Sequence, residues 1–256
     1  MGRNKTLWVV GDSVSRQFFA ALSCLLERAT GLPPRLLVAP RDRAFIPHVL
    51  QDKKGYVHKL ATSTGDRLKL FDVPRCILVP TATHPDGHCT VCYVSSMISV
   101  EGLPILQRIG VDRTETVVMN WGLHGKRGMV VPHLEALLSG WREFCRTRDG
   151  RCARLVWPET SAQHFATSAG GLYSQGASQP CVAHNGSDYS HNNKLNLAMN
   201  DTLAAYPEVL KLPVWRLTAD RWDAHPAVPG KGDCTHWCAH HPLRESWLRE
   251  SWVREI

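Results

Sequence analysis

The chain has 256 residues, 43% of them apolar, and a formal net charge of +7. This suffices for one α/β domain with a sizeable core, and no run approaches the roughly 20 apolar residues of a membrane-spanning helix. The basic residues are scattered rather than interleaved with aromatic residues, which argues against a nucleic-acid partner. The net positive charge then reflects either a solvated surface or a surface that attracts an acidic polysaccharide or the phosphates of an acyl donor. We therefore predict a single domain over residues 1–256, with no nucleic-acid partner and no transmembrane segment.

Strands and helices are predicted to alternate along the chain. The predicted strands are Leu7–Val10, Leu36–Ala39, Tyr56–Leu60, Leu68–Phe71, Cys76–Val79, Thr116–Met119, Leu155–Trp157 and Val214–Leu217. Helices are predicted over Ser13–Arg28, Val131–Arg146, Lys194–Tyr206 and from Pro242 onward, with a loop over 168–179. The β-branched runs Cys76–Val79 and Thr116–Met119 are typical of buried parallel strands. We expect a three-layer, doubly wound α/β fold around a mostly parallel sheet, with sites at the carboxyl ends of strands.

Nine cysteines and three Asn-x-Ser/Thr sequons favour an oxidising compartment. The sequons are at Asn4, Asn185 and Asn200. An odd number of cysteines leaves at least one outside any pairing within the chain. Together the cysteines and the sequons lead us to expect a location in the secretory pathway, in the Golgi lumen. The apolar run Leu7–Val10 is too short for a signal peptide, so we expect the targeting segment to lie outside this chain.

The first candidate site residue is Ser13, in the sequence Gly11-Asp12-Ser13 directly after the first strand. A serine that leaves a strand at a helix N-terminus exposes its hydroxyl beside backbone N–H groups able to hold an oxyanion. The alternative interpretation is a helix N-cap serine.

The second candidate is the pair Asp233 and His236, near the end of the chain. A carboxylate three residues from an imidazole is able to orient it, and Ser, His and Asp together are a nucleophile, a base and an orienting group. Cys234 and Cys238 flank the pair and are expected to pin its loop by disulfides. Acyl transfer is therefore the leading hypothesis, and it requires Ser13 and His236 to meet on folding.

Asn120 and Gly122 follow the strand Thr116–Met119 directly. An Asn amide and a Gly backbone N–H at the end of a strand are suitable oxyanion donors. The alternative is a glycine turn with a capping Asn.

Two clusters have ligand types at zinc-like spacing, His84 to Cys92 and Cys234 to His241. The first has no second Cys-x-x-Cys, and a disulfide or packed thiols is the alternative. The second would remove His236 from catalysis. We predict no metal, and keep a non-enzymatic carbohydrate-binding or zinc-structured protein as a third hypothesis.

These motifs together resemble the SGNH hydrolases, and more closely the PC-esterase group that contains the plant trichome birefringence-like polysaccharide O-acetyltransferases. The Gly-Asp-Ser block of that group continues with Ser-Arg, as this chain does to Arg16. Its Asn-x-Gly-His segment is similar to residues 120–124, and its Ser-Pro-x-His-Phe segment is similar to Ser161–Phe165. Its Asp-Cys-Ser-His-Trp-Cys segment is nearly reproduced by Asp233–Cys238. The chain departs from the Ser-Pro-x-His-Phe segment in two ways: Ala162 replaces its proline, and the arginine that precedes the segment is absent.

The resemblance implies an SGNH/flavodoxin-like fold and a serine-dependent O-acetyltransferase acting on polysaccharide or glycan hydroxyls. Ser13 would be the nucleophile, His236 the base and Asp233 its partner, with oxyanion donors from the Ser13 N–H, Gly122 and Asn120. The other candidate substrate-binding residues, each with a structural or surface role as its alternative, are Arg16, His164, Trp121 and Trp237. No bound cofactor is expected, and an acetyl donor acts as cosubstrate. The alternative activity is a carbohydrate O-acetylesterase with the same triad.

Overall fold

The computed structural model describes residues 5–31, 35–37, 75–80, 88–96, 101–109, 115–121, 123, 128–167, 170–173, 180–183, 193–225 and 233–237. Its strands are Lys5–Gly11 (β1), Arg35–Leu37 (β2), Arg75–Pro80 (β3), His88–Ser95 (β4), Thr116–Asn120 (β5), Arg154–Pro158 (β6) and Leu210–Leu212 (β7). Its α-helices are Ser13–Thr30 (α1), Gly102–Ile109 (α2), Val130–Arg146 (α3), Lys194–Ala204 (α4) and Val214–Thr218 (α5). A 3₁₀ helix covers Trp222–Ala224.

The seven strands form one sheet in the order β2-β3-β4-β1-β5-β6-β7. β1 lies parallel to both β4 and β5, and β5 lies parallel to β6. Trp8, Val9 and Val10 of β1 are buried, as a near-continuous apolar run predicts for a central parallel strand. The sheet is mostly parallel and the fold is α/β, as expected from the sequence.

The helices cover both faces of the sheet. From β1 the chain passes through α1 toward β2, whereas from β4 it passes through α2 to β5 on the other side of β1. Because such crossovers are right-handed, connections that lead in opposite directions place their helices on opposite faces. Accordingly α1 contacts β1, β3 and β4, while α2 packs against α3. This gives three layers.

The expectation of a parallel strand over Cys76–Val79 is wrong in its direction. β3 is antiparallel to both of its neighbours, β2 and β4. Only residues 81–87 join β3 to β4, and a parallel connection needs a dozen or more residues. β4 was not predicted, because its first residues overlap the cluster His84 to Cys92, whose ligand types at zinc-like spacing also fit a metal site. Cys92 instead forms a disulfide with Cys76 across the β3–β4 pair.

The predicted strand Val214–Leu217 is also wrong, because this segment is helix α5. A four-residue apolar run does not distinguish a strand from a buried helical turn. Pro213 is the N-cap residue directly before the helix, and the Thr218 hydroxyl lies 3.1 Å from the Val214 carbonyl within it. The strand of this region is β7, which ends immediately before the proline.

Several other predictions are confirmed, with no end shifted by more than two residues. α1 ends at Thr30 and is capped by Gly31, whose left-handed conformation (φ 69°) lets its N–H donate to the Glu27 carbonyl. The same agreement holds for β2, α3, α4 and β6. Helix α2 was not predicted. The predicted strands Tyr56–Leu60 and Leu68–Phe71, most of the loop 168–179 and the helix from Pro242 lie outside the described residues.

The described residues group into two compact units. Unit 1 takes those within Met1–Trp157 and Tyr206–Leu210, and unit 2 those within Pro158–Ala205 and Lys211–Ile256. A compact unit is not by itself an independently folding domain, so the single domain stays a prediction.

The described residues contain three disulfides, which fit a secreted or lumenal protein. They join Cys76 to Cys92, Cys145 to Cys152 and Cys181 to Cys234. Cys24 and Cys89 are free thiols, and Cys238 lies outside the described residues. In the described part of the chain, no helix combines the length and apolarity needed to cross a bilayer.

Candidate active site

Asp12, rather than Ser13, caps helix α1. Asp12 is buried, and its Oδ1 accepts hydrogen bonds from the backbone N–H groups of Val14 (2.9 Å) and Ser15 (3.3 Å). Ser13 is half-buried at the first helical position, where backbone N–H groups have no partner within the helix. The capping alternative proposed for Ser13 is therefore taken by its neighbour.

The turn before Ser13 requires glycine. Gly11 has a φ of 152°, and a Cβ built there would lie 2.1 Å from the Asn120 carbonyl oxygen. Gly11 and Asn120 are register partners at the carboxyl ends of β1 and β5. Asn120 therefore ends its strand beside the Gly-Asp-Ser turn, and its role as an oxyanion donor stays a prediction. Ser15 Oγ also donates to the Asn120 carbonyl at 3.4 Å.

Tyr93 on β4 holds the same turn from the other side. Its buried hydroxyl lies 3.1 Å from both the Gly11 and the Asp12 carbonyl oxygens. The backbone N–H of Ser96 also donates to Gly11 O at 2.9 Å. These contacts fix the direction in which the chain leaves β1 and enters α1, and so fix the backbone that carries Ser13.

Asp233 and His236 form a hydrogen-bonded pair in unit 2. His236 Nδ1 lies 2.6 Å from Asp233 Oδ2, and the backbone N–H of His236 donates to Asp233 Oδ1 at 3.0 Å. Burial opposes ionisation of Asp233, but the bonds from His236 and from the Thr235 N–H outweigh it and lower the Asp233 pKa to about 2. An ionised carboxylate only accepts, so the His236 proton lies on Nδ1 and Nε2 is left as a base.

Contacts from two other segments hold the loop that carries this pair. The disulfide Cys181–Cys234 ties it to the segment around residue 181. Gln163 Nε2 donates to Thr235 Oγ1 at 2.7 Å, and the indole N–H of Trp237 donates to Ser161 Oγ at 3.2 Å. The expectation that a flanking cysteine pins the loop is thus confirmed for Cys234. Such support is what a base on a loop needs in order to keep its orientation.

The predicted site residues fall into both units. Ser13 and Asn120 lie in unit 1, whereas Asp233 and His236 lie in unit 2; the meeting of Ser13 with His236 stays a prediction. Gly122 lies outside the described residues.

The four candidate substrate-binding residues differ in exposure. Arg16 is exposed on α1. His164, Trp121 and Trp237 are buried, which favours the structural alternative for each. Trp121 packs edge-on against Trp157, and Trp237 lies against the rings of His164 and His225.

Each zinc alternative loses one of its cysteine ligands. Cys92 is bonded to Cys76 and Cys234 to Cys181, so neither sulfur is available as a thiolate. Within the described ranges, no three His, Cys, Asp or Glu side chains are grouped to hold a metal ion.

Three residues near the candidate groups were missed by the sequence analysis: Tyr93, Gln163 and His225. Each acts through a contact with a residue more than ten positions away, or with the backbone of another segment. Gln163 stands inside the Ser161–Phe165 segment, which gave it some signal. Tyr93 and His225 carried none, because a single sequence does not record which strands or loops become neighbours.

Comparison of the chain with protein-family models, with curated proteins and with solved structures finds no match.

Proposed function

We propose that this chain is a serine-dependent O-acetyltransferase of the PC-esterase type, which transfers an acetyl group to a polysaccharide or glycan hydroxyl. The hydrogen bond between Asp233 and His236 carries the proposal. It places a proton on Nδ1 of the imidazole and leaves Nε2 as a general base, which is the arrangement that nucleophilic serine chemistry requires.

The proposed reaction has two halves that use the same groups. His236 Nε2 takes the proton from Ser13 Oγ while Oγ attacks the acetyl carbonyl carbon of the donor. The oxyanion receives hydrogen bonds from the Ser13 N–H, Asn120 and Gly122, and the leaving group departs with the proton from His236. A sugar hydroxyl then gives its proton to His236 and attacks the acetyl-serine. The bond from Ser13 Oγ to the acetyl carbon breaks as His236 returns the proton to Oγ, which restores the Ser13 hydroxyl.

The turn around Ser13 supports its part in this mechanism. Capping of α1 by Asp12 relieves Ser13 of that role, and Gly11 and Tyr93 fix the backbone on which it stands. The mechanism requires Ser13 Oγ to come within hydrogen-bond reach of His236 Nε2.

A second candidate function is a carbohydrate O-acetylesterase, in which water takes the acetyl group. The side chains of His236 and Asp233 are 28% and 41% exposed, and access of water to the base favours hydrolysis. Both functions use the same acyl-enzyme and differ only in the acceptor. Either fits a protein of the secretory pathway, and we propose the Golgi lumen as its location.

The test is incubation with an activated acetyl ester, with and without oligosaccharide acceptors. Ser13→Ala removes the nucleophile, and we expect it to lower turnover by about 10⁴-fold or more. Ser23→Ala is the matched control, since the Ser23 hydroxyl bonds only its own helix at the Phe19 carbonyl among the contacts described and its loss leaves the helix nearly unchanged.

Each product identifies one function. Acetylated oligosaccharide supports the transferase, whereas free acetate as the sole product supports the esterase. Full activity in Ser13→Ala contradicts both functions. If neither acetylated oligosaccharide nor free acetate forms, the result favours a binding protein.

A further inference from the structure

Two buried histidines of unit 2 face each other beside the candidate base. His164 is 1% exposed and His225 is 6% exposed. His164 Nδ1 lies 2.7 Å from His225 Nε2. The outer nitrogens both point at backbone carbonyls: His164 Nε2 lies 2.8 Å from Ala219 O, and His225 Nδ1 lies 2.6 Å from His236 O. Three successive contacts therefore link the Ala219 carbonyl, through the two rings, to the His236 carbonyl.

Two neutral imidazole rings do not carry enough protons to make all three of these contacts hydrogen bonds. A carbonyl oxygen only accepts, so His164 Nε2 and His225 Nδ1 must each carry a proton. Two neutral imidazoles have two such protons in total, and both are then used. The two inner nitrogens would face each other at 2.7 Å with a lone pair on each, which is repulsive. A third proton between them turns that contact into a hydrogen bond.

We propose that His164 and His225 share one proton, and that this singly charged pair positions His236 by holding its backbone carbonyl. The pair is not in the catalytic chemistry itself. It acts on the loop from the side of the backbone, while Asp233 acts on the His236 ring. The positioning part of the inference rests on the proposed function.

The surroundings of the pair both oppose and support the charge. Taken together, the surroundings lower the pKa of His225 to about 4, with burial as the largest cause and the neighbouring His164 and His236 acting in the same direction. The hydrogen bond to the His236 carbonyl and the Asp233 carboxylate raise it. Among the described residues of its own turn, Asp220, Arg221 and Asp223 are the other ionisable groups, and Arg221 pairs with Asp223. The ring-to-ring contact favours the third proton, because the two inner nitrogens form a hydrogen bond only when a proton lies between them.

Further contacts tie the pair to the loop. The backbone N–H of His164 donates to the Cys234 carbonyl at 3.0 Å. The ring of His225 lies against Trp237, with 4.2 Å between ring centroids. Loss of the shared proton must break one of the three ring contacts, and the contact to His236 O is the one that reaches the base. Proton binding by the pair is thereby coupled to the position of His236.

The direct test is nitrogen-15 NMR of the histidine-labelled full chain at neutral pH. The chemical shift of each ring nitrogen reports whether it carries a proton. We expect His164 Nε2 and His225 Nδ1 to be protonated and one strongly deshielded proton to be shared by the inner nitrogens. His164→Gln and His225→Gln, which assign the signals, should each abolish the shared-proton signal, whereas His133→Gln on α3 should leave it unchanged. Two neutral rings, with both inner nitrogens unprotonated, would overturn the proposal.

A kinetic readout tests the positioning role. The amide of His225→Gln is able to donate to the His236 carbonyl without titrating. We expect kcat for the activated ester to fall roughly 10–100-fold with KM little changed, and any alkaline loss of kcat due to the pair to disappear from the pH profile. A profile of unchanged shape would reduce the pair to a structural role.

The two proposals fail separately. A shared proton in a protein without esterase or transferase activity would refute the proposed function and leave the proton assignment standing. Activity that depends on Ser13, together with two neutral rings by NMR, would support the proposed function and refute the shared proton.

Discussion

At the scale of single residues, the carboxylate of Asp233 both shapes its loop and orients the candidate base. Its Oδ2 accepts from His236 Nδ1, while its Oδ1 accepts from the backbone N–H groups of Thr235 (3.2 Å) and His236 (3.0 Å). One side chain therefore fixes the imidazole tautomer and the turn on which the imidazole stands. Replacement of the carboxylate should affect chemistry and local structure together.

Asp233→Asn should lower kcat by roughly 10³–10⁴-fold while the chain stays folded. The amide offers an N–H to His236 Nδ1, which favours the wrong tautomer and places the proton on Nε2. Kinetics with an activated acetyl ester measures the loss. Asp201→Asn, at an exposed position of α4, should leave kcat unchanged; an equal loss in both variants would contradict the orienting role.

The pH dependence of stability should carry the signature of the same carboxylate. The pKa of Asp233 is lowered from 3.8 to about 2, so the unfolded chain binds more protons at Asp233 between these values. Its contribution is fully present above about pH 4 and is lost as the pH falls through about 2. Urea unfolding of the wild type and Asp233→Asn should give a difference in unfolding free energy that shrinks across this window. A difference that grows toward acid pH would refute the assignment.

At the scale of elements, the turn from β1 into α1 depends on close contact between two strand ends. Gly11 meets the Asn120 carbonyl so closely that any Cβ would displace β5 or the turn. This contact sets the position of Asn120 relative to the backbone of Ser13.

Gly11→Ala should lower the unfolding free energy by at least about 2 kcal/mol, because a strained φ and a backbone clash add up. Gly31→Ala is the matched control: its φ of 69° is also unfavourable for Ala, but nothing lies within 4 Å of the added Cβ. We expect Gly31→Ala to cost about 1 kcal/mol. Thermal or urea unfolding measures both, and equal losses would mean that the contact with Asn120 is unimportant.

The long periodic elements could be predicted from the sequence, and the short ones could not. α1 and α3 have apolar residues at helical spacing over four or more turns, which leaves little ambiguity. The run at 214–217 is one turn long and fits either structure, so the context of Pro213 and Glu159 decides it: the Trp215 N–H donates to Glu159 Oε2 at 3.1 Å. Of the candidate site, the Asp233–His236 contact was predictable because its partners are three residues apart. The His164–His225 contact joins positions 61 residues apart, and nothing local encodes it.

At the scale of the whole molecule, two of the disulfides differ in what they hold. Cys181–Cys234 spans 53 residues and ends two positions before His236, whereas Cys145–Cys152 spans 7 residues at the end of α3. Both restrict the unfolded chain, the longer one more strongly. Only the longer one also constrains the loop of the candidate base.

Replacement of both cysteines by serine in each pair should separate these two effects. We expect loss of Cys181–Cys234 to reduce the unfolding free energy by roughly 4 kcal/mol, and loss of Cys145–Cys152 by roughly 2 kcal/mol. Turnover of the activated ester, measured where each variant is fully folded, should fall only in the Cys181/Cys234 variant. Unchanged turnover there would show that the loop keeps its geometry without the disulfide.

The central claim is that Ser13 carries the acyl group. Brief reaction with an activated acetyl ester, acid quench and peptide mass mapping should find one acetyl group, on Ser13, in the wild type. It should be missing from His236→Ala quenched at the same time. An acetyl group on another residue, or labelling of Ser13 that is equally fast without His236, would contradict the account.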